Sequence, residues 1–109
     1  MAAILRNKVV KAVGKVPVEV LETTASNRAT VIGMSLTNLT QSFVYVSVHL
    51  KDDTSVEGYY LKDTVLPANT SLRIVSTGEK LVVAPSNILS VSASVDDSVD
   101  VIVSYAEIL

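Results

Sequence analysis

The chain is 109 residues long, 49% hydrophobic and 18% charged, with a formal net charge of −2. That length holds one domain with one core. The apolar content excludes disorder, and without a basic excess nucleic-acid binding is not expected as a main role. With no cysteine, disulfide frameworks, thiolate metal sites and thiol chemistry are excluded.

At the N-terminus, Arg6 and Lys8 follow Met-Ala-Ala-Ile-Leu too early for the apolar stretch of a signal peptide. Arg6, Lys8, Lys11 and Lys15 crowd this end, and Asp96, Asp97, Asp100 and Glu107 the other. Either the two ends pair within the fold or neighbouring copies meet through them; the first is the simpler expectation. Residues 1–15 read as a first strand or as an arm outside the domain, because Gly14 and Pro17 stop any helix there. Residues 16–109 read as the β domain.

From there the hydrophobic period is two, the mark of strands with one buried face. Thr30, Ile32, Met34 and Leu36 form one inward row, and Val44, Val46, Val48 and Leu50 a second, with Phe43, Tyr45, Ser47 and His49 opposed. Leu89, Val91, Ala93 and Val95 alternate with serines. Val99, Val101, Val103 and Tyr105 oppose Asp100, Ile102, Ser104 and Ala106. About nine strands are predicted, at 8–13, 16–23, 28–38, 42–51, 55–61, 72–77, 80–84, 88–95 and 98–107. Turn residues separate them at Asp52-Asp53-Thr54, Pro67-Ala68-Asn69-Thr70, Thr77-Gly78-Glu79, Pro85-Ser86-Asn87 and Asp96-Asp97-Ser98. The fold class is all-β, an antiparallel sandwich of jelly-roll or Ig-like type with eight or nine strands. Ala29 to Leu50 carries no Asp, Glu, Lys or Arg, yet its polar interruptions and alternation argue against a membrane helix.

No catalytic set is legible. The single histidine, His49, lies mid-strand, and no nucleophile elbow accompanies it. Asp52-Asp53 and Asp96-Asp97 with Asp100 read as acidic turns, since neither has calcium-loop spacing. Neither a metal nor a cofactor is expected, and the isolated glycines build no phosphate loop. Gly33, inside a strand pattern, predicts a bulge or a close backbone approach. Asn38-Leu39-Thr40 and Asn69-Thr70-Ser71 match the glycosylation pattern by chance.

If strands 42–51 and 55–61 form a hairpin, Phe43, Tyr45, Tyr59 and Tyr60 gather on one sheet. They then fill a face covered on both sides, form a subunit interface, or make a sugar-stacking platform. The charge-free stretches Ala29–Leu50 and Leu81–Val95 would be aggregation-prone as exposed edges, which predicts that neighbouring subunits cover part of them.

The segments Val65-Leu66-Pro67-Ala68-Asn69-Thr70-Ser71-Leu72-Arg73-Ile74, Gly78-Glu79-Lys80-Leu81-Val82-Val83 and Val99-Asp100-Val101-Ile102-Val103-Ser104 resemble small β-sandwich virion proteins of tailed bacteriophages. In style they are similar to those of cyanophages. Ala29-Thr30-Val31-Ile32-Gly33-Met34-Ser35-Leu36-Thr37-Asn38 fits the same pattern, so the resemblance covers most of 16–109. It implies a non-enzymatic particle component located in the virion, whether head decoration, neck, tail or fibre attachment. The implied partners are copies of itself and other virion proteins, with no nucleic acid or membrane. The basic N-terminal segment is the least family-like part and is a candidate docking arm. The candidate interface residues are therefore Phe43, Tyr45, Tyr59, Tyr60, Arg6, Lys8 and Lys11. A carbohydrate-binding module for host attachment is the alternative, and it requires an exposed aromatic cluster among polar neighbours.

Overall fold

In the computed structural model, which describes residues 3–75 and 78–108, the alternating rows become nine strands, with no helix among the described residues. They are β1 (Ala3–Val13), β2 (Val18–Glu22), β3 (Arg28–Asn38), β4 (Val44–Lys51), β5 (Glu57–Leu66), β6 (Ser71–Val75), β7 (Leu81–Val83), β8 (Ile88–Ala93) and β9 (Val99–Ile108). Two residues of the predicted strand 72–77, Ser76 and Thr77, lie outside the described residues. The charge-free stretch from Ala29 becomes β3, a turn and β4.

One sheet has the order β1-β9-β3-β6, with β7 beside the other half of β3; the second has the order β2-β8-β4-β5. All pairings are antiparallel. The strands pair from the ends inward: β1 with β9, β2 with β8, β3 with β6 and β7, β4 with β5. The chain is thus one long hairpin, closed at the β4–β5 turn and wrapped so that successive rungs fall in alternate sheets. Of the two predicted sandwich types, this order is the jelly roll. β6 and β7 act as one interrupted strand, β6 facing Met34–Thr37 and β7 facing Ala29–Val31.

Between the sheets lies an aliphatic core of Val, Leu, Met and Ala, including Val20, Val31, Leu36, Val46, Leu66, Leu89, Val101 and Val103. β-branched side chains suit a pleated surface buried on one side. The rows from Val44, Leu89 and Val99 point inward as predicted, except that Val95 lies beyond the end of β8 and is exposed. The row on β3 is corrected. Ala29, Val31, Met34, Leu36 and Asn38 are buried, and Ile32 is exposed. The register shifts between Val31 and Gly33. This is the bulge that Gly33 predicts, and an extra residue reverses the alternation on one side of it. β5 is also longer than predicted and runs to Leu66. Lys62-Asp63 bulges within the strand, and Asp63 donates its N–H to Ser47 Oγ at 3.0 Å.

The charge-free stretches need a second correction, in part. β3, β4 and β8 are central strands, each paired on both sides, and burial in the sheets accounts for their lack of charge. β7, at the start of Leu81–Val95, pairs only with β3 and is an uncharged edge. Three of the four edges are guarded in the usual way: β1 carries Arg6, Lys8 and Lys11, β2 carries Glu19 and Glu22, and β5 carries Glu57, Lys62 and its bulges; the fourth, β6 with β7, carries only Arg73.

Acidic side chains at the far end of the chain tie down the exit of β1. Ala12, at φ 56° in the irregular end of the strand, donates its N–H to Asp100 at 2.9 Å. Lys15 N–H donates to Asp96 at 3.0 Å. A Cβ on Gly14 would sit 2.8 Å from Asp96 Cα, so the glycine is what lets the two segments touch. Arg6 pairs with Glu107 at 3.0 Å, which the amide of Asn27 also reaches at 3.0 Å. Arg6 and Glu107 meet within the fold, the simpler of the two expectations for the charged ends.

Candidate assembly surfaces

The strand order separates the two groups of candidate interface residues. Arg6, Lys8 and Lys11 lie on β1, at one edge of the sandwich; the aromatic residues lie on and beside β4 and β5, at the opposite edge. They form no single patch. Lys8 is opposite Val103 and Arg6 opposite Tyr105, on the core side of β1, but this end of the sheet overhangs and both are exposed.

The outer face of the β2-β8-β4-β5 sheet carries three of the four rings, in two separate pairs. Phe43 meets Tyr45 edge to face at 5.6 Å, and Tyr59 meets His49 at 5.8 Å. Lys62 Nζ sits 5.2 Å above the Tyr59 ring. Ser47, Ser90 and Ser92 pair across β4 and β8 around them. The four rings are 38–60% exposed, so they do not fill a covered second face.

Tyr60 is separated from the other three, because neighbours on a strand point to opposite faces. Its hydroxyl donates to Ile74 O at 3.2 Å and lies 3.4 Å from a Glu79 carboxylate oxygen, bridging the gap between the sheets. Loss of solvent, then the Glu79 charge, raises its phenol above the ordinary value. A hollow of about 360 Å³ opens beside it, lined by Leu50, Leu81, Tyr59, Asp52 and Glu57. The Asp52 carboxylate is committed to the β4–β5 turn. It accepts from Thr54 Oγ1 at 2.7 Å and from the N–H groups of Thr54 and Val56. These bonds, the Thr54 hydroxyl foremost, hold its pKa below the ordinary carboxylate value. Among the described residues, no three His, Asp or Glu side chains converge on a point that could hold a metal.

The other outer face, on β1-β9-β3-β6/β7, was not singled out by the sequence. It presents Leu5, Val9, Ile32, Val82 and Ile102, 45–76% exposed, around the small residues Gly33, Ser35, Ser104 and Ala106. The alternation of β9 already places Ile102 there, but the neighbours that make it a patch come from β1, β3 and β7. Strand order alone brings them together.

Asn38 is a further residue that sequence reasoning missed. It is 1% exposed, and its amide nitrogen donates to the carbonyls of Ser42, Leu66 and Pro67 at 2.9–3.2 Å. Its amide oxygen accepts from Thr40 N–H and Thr40 Oγ1, each at 2.8 Å. The glycosylation match is therefore occupied by internal bonds, and the side chain holds the β3–β4 and β5–β6 connections together.

The sequence matches no protein-family model, and no curated protein matches it. Solved structures share the fold. One is a chain of the IBDV viral particle, 8% identical with a TM-score of 0.57; the match covers 96% of this chain and 30% of that one. Another is a chain of the acid-stable capsid of Helicobacter pylori bacteriophage KHP30, 14% identical with a TM-score of 0.57; it covers 100% of this chain and 89% of that one. At such identities the likeness is one of fold. The present chain spans under a third of the IBDV chain but most of the phage chain.

Proposed function

We propose that this chain is a non-enzymatic structural subunit of a tailed-phage virion. In this reading it decorates the head, assembles with copies of itself and docks on the shell proteins. A fold alone carries no function. The observation that favours this reading is the full-length likeness to a chain of similar size in a phage capsid. An open apolar sheet face, of the kind that marks protein contacts, is consistent with it. Head decoration is favoured over neck, tail or fibre attachment because that neighbour is a capsid structure. The test is an immunoblot of gradient-purified particles of the virus that encodes the chain. The chain sediments with intact particles in this account; a chain found only in the soluble fraction refutes it.

A second reading, a carbohydrate-binding module for host attachment, is favoured by the exposed rings of Phe43, Tyr45 and Tyr59 among serines, His49 and Lys62. It predicts quenching or shift of tyrosine fluorescence on titration with host-envelope oligosaccharides, lost in Tyr59→Ala. An unchanged spectrum at millimolar sugar removes this reading.

A further inference from the structure

We infer that the outer face of the β1-β9-β3-β6/β7 sheet is where two copies of this chain meet, sheet against sheet about a two-fold axis. The inference rests on the assembly reading above and names its contact.

The two outer faces of the sandwich differ in chemistry. The β2-β8-β4-β5 sheet turns Glu19, Glu22 and Lys51 outward beside the exposed Tyr45, Tyr59 and Val65. The opposite sheet carries outward charge at its margins, at Arg28, Arg73 and Asp100 in the registered pairs and at the exposed Lys11 that follows Val10 on β1. The Asp100 carboxylate accepts from Ala12 N–H. The middle of the face, from Leu5 and Val9 across Ile102 and Ile32 to Val82, is uncharged. An antiparallel sheet facing water normally carries polar residues at such positions.

The area suffices for a stable pair. Four strands at ~4.8 Å spacing and ten residues of β9 at ~3.3 Å each give a face of about 19 by 33 Å. Two such faces bury about 1,200 Å², within the range of specific interfaces.

The face is also suited to meeting itself, as a two-fold contact requires. Beside the Ile102 ridge lies a hollow of about 380 Å³ around Gly33, Ser35, Ser104 and Val75, with Arg73 on its rim. Nothing inside the chain demands a glycine there. Gly33 has no positive φ, and an added Cβ would meet only Ser104 Cβ at an ordinary 3.9 Å. The missing side chain leaves room for a group from outside, and Ile102 of the second copy is apolar and exposed enough to supply it. Edge-to-edge pairing through β1 is disfavoured, because an antiparallel register centred on Asn7 sets Arg6 against Lys8 of the other copy.

The test is light scattering coupled to gel filtration on the full chain over a dilution series. Wild type runs at twice the chain mass of 11.6 kDa at micromolar concentration. Ile102→Glu, which buries two carboxylates in the contact, weakens the pair at least ~100-fold. Gly33→Val, which fills the hollow from within, does the same, and both keep the wild-type circular dichroism. Tyr45→Glu, on the other sheet, leaves the pair intact. A single-chain mass for wild type at the highest concentration overturns the inference, as does a pair that survives both variants or is broken by Tyr45→Glu. If a wild-type monomer is nonetheless abundant in purified particles, this inference alone fails and the face belongs to a shell protein. A pair that is absent from particles leaves the inference standing and sinks the virion reading.

Discussion

Replacing Asn38 by alanine removes five hydrogen bonds from a side chain that is 1% exposed. The Leu66 carbonyl lies in the interior and loses its amide donor, which costs about 1–3 kcal/mol. The bonds to Ser42, Pro67 and Thr40 are only part-buried, so water replaces them in part, at about 0.5 kcal/mol each. These four bonds and the Leu66 bond total about 3–5 kcal/mol. With a urea slope of about 1.5 kcal/mol/M, the unfolding midpoint falls by about 2–3 M. Asn38→Asp sharpens the test. Its carboxyl faces three carbonyl oxygens, so the charged form is disfavoured and its folded pKa lies above the unfolded value of about 3.9. Its stability is then present below that unfolded value and lost as pH rises through the raised folded value. The variant therefore approaches wild type near pH 3.5 and trails it most at neutral pH. A midpoint shift under about 0.5 M for the alanine variant, or an aspartate variant equally stable at both pH values, refutes this account of the two connections.

Gly14→Ala forces Cβ against Asp96 backbone, which cannot swing aside, and lowers stability by about 1–3 kcal/mol in thermal or urea unfolding. Arg6→Ala changes stability by less than about 1 kcal/mol, because its ion pair with Glu107 is solvent-exposed. In ultraviolet difference titration one tyrosine, absent in Tyr60→Phe, ionises above the ordinary 10.0. Glu79→Gln lowers that value without restoring it fully, since burial is the larger cause; no change in Glu79→Gln would contradict the contact. With its folded pKa raised, Tyr60 contributes stability below the unfolded value that is lost as pH rises through the folded one.

The rows beginning at Val44 and Val99 were legible because aliphatic residues, mostly valine, recur at every second position of each strand with no bulge to break the alternation. Thr30 and Ile32 were misphased because a one-residue bulge flips alternation without changing composition. Lys62-Asp63 reads as a strand end for the same reason. Tyr59 and Tyr60 could not share a face, which adjacency in a strand already dictates. The pairing of β1 with β9 joins opposite ends of the chain. The apolar face made by Leu5, Ile32, Val82 and Ile102 follows from such distant pairings, which local patterns do not specify. Asn38 reads as an ordinary polar residue at a strand end, and its role depends on carbonyls up to 29 residues away.

The account turns on whether this jelly roll is built into a virus particle. Electron cryo-microscopy of the particle to which the proposal assigns the chain tests that directly. The account predicts density matching a 45 × 27 × 21 Å β-sandwich at symmetric positions on the head, with the face around Ile102 and Gly33 covered and the Tyr45–Tyr59 face open. A complete reconstruction of head, neck and tail in which no density accommodates the chain would contradict it.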